Sequence, residues 1–306
     1  MVAGGTAKRL KHAMQRWMFL FMAGLTAAVS PVQAQPRRAQ SAPQPPPASA
    51  TTSESARLPA GTGVHADYQI YVHGLRIGRL EAGLELQAAT YRLELAFQTF
   101  GLVGWLFRGH QLDISEGRVA RQLLEPSRYS GQGFWRGEPR RVLIDYIGRQ
   151  PVVRNLEPPN DAEREPVPAQ LQANSLDTLS AMVTLIHRIA DTGRCDSVID
   201  TFDGRRAVRF NARTVGEADL EPTGRSSFQG RALRCDFNGT LMAGYRLADP
   251  PEERGVSRHG SAWFAPVVPG APLLPVRLEF ETSIFGDATI YLIGAGPGAA
   301  RDPPDE

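Results

Sequence analysis

The side chains of this chain that could carry chemistry are few and stand apart. Past residue 34 the histidines are His65, His73, His110, His187 and His259, and no two fall at a spacing that brings both to one metal. The stretch Gly131-Gln132-Gly133-Phe134-Trp135-Arg136-Gly137 has the wrong spacing for a dinucleotide loop, and Gly294-Ala295-Gly296-Pro297-Gly298 has no helix after it. Both read as loop glycines. There is no G-x-S-x-G elbow and no H-E-x-x-H pair. Lys8 and Lys11 are the only lysines, so the chain beyond them has no lysine nucleophile, Schiff base or phosphate-loop lysine. The expectation is no catalytic residue, no metal and no cofactor. An enzyme would need a site assembled from distant strands.

Two kinds of residue remain. Cys195 and Cys235 form an even count, which in an oxidising compartment predicts a disulfide. Closing that loop is worth about 4 kcal/mol in the chain-entropy model. The aromatics Phe97, Phe100, Trp105 and Phe107 belong to one strand and the apolar stretch that follows it, Phe100 to Phe107 (FGLVGWLF). That stretch is too apolar to hide one face as a simple strand would. It is expected either to plug the core or to form the lip of a cavity for an apolar ligand.

The element that must position these residues is Ser175 to Gly193, with a helix expected over 175–191. At 100° per residue, Leu176, Leu179, Met182, Val183, Leu185, Ile186, Ile189 and Ala190 share one half of the cylinder. Asp177, Ser180, Ala181, Thr184, His187, Arg188 and Asp191 take the other. Asn174 or Ser175 is expected to cap it and Gly193 to end it. An apolar arc of about 180° is wider than the usual stripe of a surface helix, which implies a sheet curved around it. The fold expected is therefore mainly β: an antiparallel, strongly curved sheet or incomplete barrel wrapped around one amphipathic helix.

Strands are read from period-two patterns, such as Tyr68, Ile70 and Val72 before a turn through Gly74 and Gly78, and Tyr91, Leu93, Leu95 and Phe97. Further strands are expected at Gln111 to Ser115, Val119 to Leu124, Tyr129 to Arg136 and Val142 to Ile147, then a polar connection from Arg154 to Pro168. Asp203-Gly204 and Asn238-Gly239 are read as hairpin turns.

The chain begins with an address. Lys8, Arg9, Lys11 and Arg16 precede the apolar run Trp17 to Val29, and Val32-Gln33-Ala34 is a small-x-small cleavage signal, so residues 1–34 are expected to be a signal peptide and the protein periplasmic. A run of 13 residues is short for a bilayer span, and no stable membrane span is expected after cleavage. The leader holds four of the 34 basic residues and no acid, leaving 30 against 32 acids and a net charge of −2. Arginines interspersed with acids argue against a nucleic-acid partner. Residues 35–63 read as a Pro/Ala/Ser-rich tether, 64–293 as one β-rich domain and 294–306 as a disordered tail.

Several segments together carry a resemblance: Tyr68 to Gly78 (YQIYVHGLRIG), Gly101-Leu102-Val103 with Phe107-Arg108, Asp177-Thr178-Leu179-Ser180-Ala181, Phe202-Asp203-Gly204-Arg205-Arg206, and the cysteine pair. In order and spacing they resemble the exported bacterial family known as domain of unknown function 3108. The resemblance implies export and a β-rich domain and names no reaction. A looser, fold-level similarity is to periplasmic lipoprotein carriers, in which an incomplete barrel encloses helices over an apolar cavity. The function expected first is non-enzymatic binding of an apolar or lipid-like envelope component. A protein-interaction or scaffold domain with an envelope protein as partner comes second, and an enzyme third.

Overall fold

The structure, a computed structural model, describes residues 63–101, 108–120, 123–135, 137–248, 251, 254–282 and 286–298. The leader, most of the tether, Trp105, Phe107 and the end of the tail lie outside the described residues.

Thirteen strands make one antiparallel sheet in the order β7-β6-β5-β4-β3-β2-β1-β13-β12-β11-β10-β9-β8. They are β1 (Val64–Val72), β2 (Leu75–Leu86), β3 (Thr90–Thr99), β4 (Gly109–Ala120), β5 (Leu123–Trp135), β6 (Glu138–Ile147), β7 (Gln150–Glu157), β8 (Ser197–Phe202), β9 (Ala207–Leu220), β10 (Gly230–Ala243), β11 (Ser257–Ala265), β12 (Leu274–Thr282) and β13 (Gly286–Pro297). Alternation along each strand sets the inner face. Val64, Ala66, Tyr68, Ile70 and Val72 of β1 are all buried while the residues between them are not.

The order explains the helix. Because β1 pairs antiparallel with β13 as well as with β2, the alternation leaves β7 and β8 at the two lips of the sheet, running the same way. Strands in that relation cannot be joined by a hairpin and need a crossover. Residues 158–196 supply it, with a short helix α1 (Ala169–Gln172) and the long helix α2 (Thr178–Thr192). Helix α2 packs on β3, β4 and β5 near one end of the order and on β8 at the other, which requires the sheet to curl around it. Val183, Ile186 and Ile189 meet Ile144, Phe202 and Leu93 in one core.

The ends of α2 are set by sequence chemistry. Asp177 is the N-cap, accepting from Ser180 N–H at 2.8 Å, and Gly193 closes the helix at φ 67°. The cap is thus Asp177 rather than Asn174 or Ser175. Asn174 is itself left-handed at φ 62°, and Ser175 donates to the Gln172 carbonyl. Ser180 and Ala181, placed by the wheel on the polar half, are buried, because Ser180 finds polar partners on the sheet. Tyr91 Oη lies 2.7 Å from Ser180 Oγ, and Ser115 Oγ donates to Asp177 Oδ2 at 3.0 Å. Burial raises the Asp177 pKa from its ordinary value against the pull of these hydrogen bonds.

Other elements differ from the sequence reading for stated reasons. Val119 to Leu124 is not one strand: β4 ends at Ala120 and β5 begins at Leu123, so the apolar run spans the two strands of one hairpin. Residues 150–157 form β7, the lip strand, rather than the start of the connection. Gly131 and Gly133 lie within β5 rather than in a loop. Gly78 lies within β2, and the preceding turn is His73-Gly74, with both φ angles positive at 48° and 79°. Asn238-Gly239 is no turn but the middle of β10. A Cβ on Gly239 would sit 2.9 Å from the Phe210 ring, so this glycine serves close approach. Residues 294–297 belong to β13 and pair with β1, not to a disordered tail. Cys195 and Cys235 are bonded, tying the exit of α2 to β10 across β9.

Candidate functional site

One rim of the curved sheet gathers the turns β1–β2, β3–β4, β5–β6, β8–β9, β10–β11 and β12–β13, together with the end of β7 where the crossover leaves. The crossover is stitched across this rim. Glu165 N–H donates to the Tyr245 carbonyl and Leu247 N–H to the Glu163 carbonyl, which sets Arg164 opposite Arg246 in an antiparallel bridge. Gly244 permits this: at φ 82°, a Cβ there would lie 2.1 Å from the Arg205 carbonyl oxygen. The Arg164 guanidinium donates to the Gly244 carbonyl at 2.7 Å.

Two clefts open under the stitch. The larger, about 750 Å³, lies between the inner ends of β3–β6, the β8–β9 turn and the crossover, and holds Phe97, Gln111, Asp113, Tyr129, Arg140, Glu163, Arg205 and Arg206. The second, about 500 Å³, continues past Arg164, Arg206 and Arg246 between β9, β10, β11 and β12, and is walled by Val208, Phe210, Phe237, Leu241 and Phe280. Register places these apolar residues inward: Phe237 and Leu241 share the face of buried Cys235, opposite Ala212 and Val208.

Two strand glycines make way for polar side chains of the first cleft. Gly131 and Gly133 face Asp113 and Gln111 across the β4–β5 pair, and a Cβ on Gly133 would come within 2.4 Å of Gln111 Oε1. Asp113 accepts from Gln111 at 2.9 Å and from Tyr129 at 3.1 Å, while burial holds its carboxyl above the usual range. Arg140 grips Glu163 through two bonds of 2.7 Å each, and this fork holds the Glu163 carboxyl below the usual range. Asp203 folds the turn: it accepts from the N–H groups of Arg205 and Arg206 and from Arg206 Nε. Burial pushes its carboxyl up, but Arg206 and the two N–H groups outweigh that and leave its pKa lowered. Burial, then the nearby charge of Arg140, lower the pKa of Arg205.

The aromatic residues expected at the site divide. Phe97 lines the larger cleft. Phe100 sits under the Arg76 guanidinium, 5.4 Å from its ring centre, and Trp105 and Phe107 lie outside the described residues. The arginines were not singled out by sequence reasoning. Their signal was the Asp203-Gly204-Arg205-Arg206 turn, which is legible as a backbone device and silent about the direction of its side chains. Among the described residues no group of three or more His, Cys, Asp or Glu is placed to hold a metal ion.

The family model for a protein of unknown function, DUF3108, matches residues 67–293. The chain belongs to the DUF3108 family. The match spans β1 through most of β13, and so includes every strand that walls the two clefts. No curated protein matches the chain. Among solved structures it is similar to the crystal structure of a β-barrel-like protein of domain of unknown function DUF1849 from Brucella abortus. That similarity has 12% identity and a TM-score of 0.47, covering 80% of this chain and 100% of that one.

Proposed function

We propose that this DUF3108 protein is an exported, non-enzymatic binding protein that holds an apolar or lipid-like component of the cell envelope beneath its crossover segment. The observation that carries the reading is the second cleft. Apolar side chains from β9, β10 and β12 face inward there and border about 500 Å³ of open space. A sheet that curls around a single helix encloses more volume than the helix fills, and the surplus lies at the rim, where a guest can enter. The disulfide accords with an oxidising compartment, and no helix among the described residues is long and apolar enough to cross a membrane. Phe97 is proposed as part of the wall on the β3–β4 side.

Titration of the folded protein with a fluorescent acyl-chain probe tests this. Saturable binding, displaced by unlabelled lipid and weakened by Phe237→Ala, is the expected result. A linear, non-saturating signal would turn the assignment toward a scaffold domain that acts through a protein partner.

A further inference from the structure

The segment that crosses the rim is held differently from the sheet beneath it. Between Pro158 and Asn174, Val167 is the one buried residue among those described, and α1 buries none. Pro158, Pro159, Pro166 and Pro168 stiffen the stretch. Its anchors are polar. On the side of β6 and the β8–β9 turn, the Arg140 fork grips Glu163, and Arg205 donates to the Pro158 carbonyl at 2.8 Å. On the side of the β10–β11 connection stand the two backbone bonds of the Arg164–Arg246 bridge, 2.9 and 3.0 Å long, and the Arg164 bond to Gly244. An ion pair of Glu165 with Arg254 joins them, but each partner is 36% exposed, a setting in which such a pair contributes little. Residues 246–248 of that connection are exposed, so the bridge ties one surface segment to another. Arg164 and Arg246 border both clefts, which places the bridge where the two clefts meet.

We infer that residues 158–168 are a strap that parts from the β10–β11 connection at the Arg164–Arg246 bridge to admit an acyl chain to the second cleft, and then re-forms over it. This rests on the binding reading above and adds how ligand exchange is controlled. Parting breaks only the few polar contacts on that side, because Val167 lies past the bridge and no other described side chain of the strap is buried. The sheet keeps its ladder and its disulfide throughout, so the motion is that of a lid on a fixed frame.

The bridge itself supplies the test. Its hydrogen bonds run between the residues flanking Arg164 and Arg246, which leaves these two a non-hydrogen-bonded antiparallel pair, with Cα atoms about 4.5 Å apart in such pairs. A disulfide spans that distance, so the double variant Arg164→Cys, Arg246→Cys locks the strap when oxidised. Cys195 and Cys235 are fully buried, and a mild reductant reaches the engineered bond first. The full mature chain carrying both substitutions is loaded with a fluorescent acyl-chain probe while reduced, then oxidised, and release into excess unlabelled lipid is timed. Release from the oxidised form is expected to be about tenfold or more slower than from the reduced form. Amide exchange of the wild type carries the test if the variant does not fold. The Glu165 and Leu247 amides, which donate across the bridge, should exchange about tenfold or more faster than the paired amides of β10, and bound probe should slow them. Equal release from the two forms, or Glu165 and Leu247 amides as protected as those of β10, would overturn the inference and leave the binding reading standing. If the wild type bound no probe at all, the binding reading would fail and the strap with it.

Discussion

Asp177 offers a sharp test of how the helix is held inside the sheet. Its carboxylate is fully buried, caps α2 through the Ser180 N–H at 2.8 Å, and accepts from the hydroxyls of Ser180 and Ser115. Truncation to Ala removes an N-cap worth about 1 kcal/mol. It also strips an acceptor from two buried hydroxyls, at about 1 kcal/mol each because they can still bond one another. The sum is about 3 kcal/mol, which in a domain of this size lowers the melting temperature by roughly 6–12 °C. Asn caps as well as Asp and presents an oxygen to the same N–H, so Asp177→Asn should cost less than about 1 kcal/mol at neutral pH. Either variant also separates from the wild type by pH. Burial raises the folded pKa, so between the ordinary carboxylate value and the folded value the folded state holds a proton that the unfolded state does not. Stability from this group therefore falls as pH rises through that window, and Asp177→Asn should remove that fall. Denaturant melts across pH 4 to 8 measure all of this. An Asp177→Ala loss under about 0.5 kcal/mol, or an Asn variant as weak as the Ala variant, would refute the argument that the carboxylate serves as an acceptor.

Ile186 is buried against the sheet, whereas Thr184 is half-buried and donates back to the Ser180 carbonyl. Ile186→Ala should cost about 2–5 kcal/mol and Thr184→Ala under about 1 kcal/mol, and equal losses in denaturant titration would contradict a wrapped helix. Denatured but unreduced protein should show no reactive thiol, since Cys195 and Cys235 are bonded. Replacing both with Ser should lower stability by about 2–4 kcal/mol, and a thiol count of two would remove the bond.

The sequence made the architecture legible where pattern is local. The period-two runs of β1 and β3, the positive-φ turn at Asp203-Gly204 and the wide apolar face of α2 each pointed to the structure found. It misled where one local signal serves two uses. Gly239 reads as a turn because glycine permits one, yet it is there to admit the Phe210 ring. Ser180 reads as a polar-face residue because nothing nearby in the chain announces Tyr91 and Ser115. The rim was illegible for the same reason. Arg140, Arg164, Arg205 and Arg246 come from four separate segments, and only the crossover required by two same-way lip strands brings them together.

The claim that the rim holds an acyl-chain ligand is tested most directly by mass spectrometry of the organic extract from protein exported and purified without detergent. The account predicts an acyl-chain species in a fixed molar ratio to protein, reduced or absent when Phe237→Ala is purified the same way. Protein that comes away with no lipid, and takes up none on later titration, would contradict it.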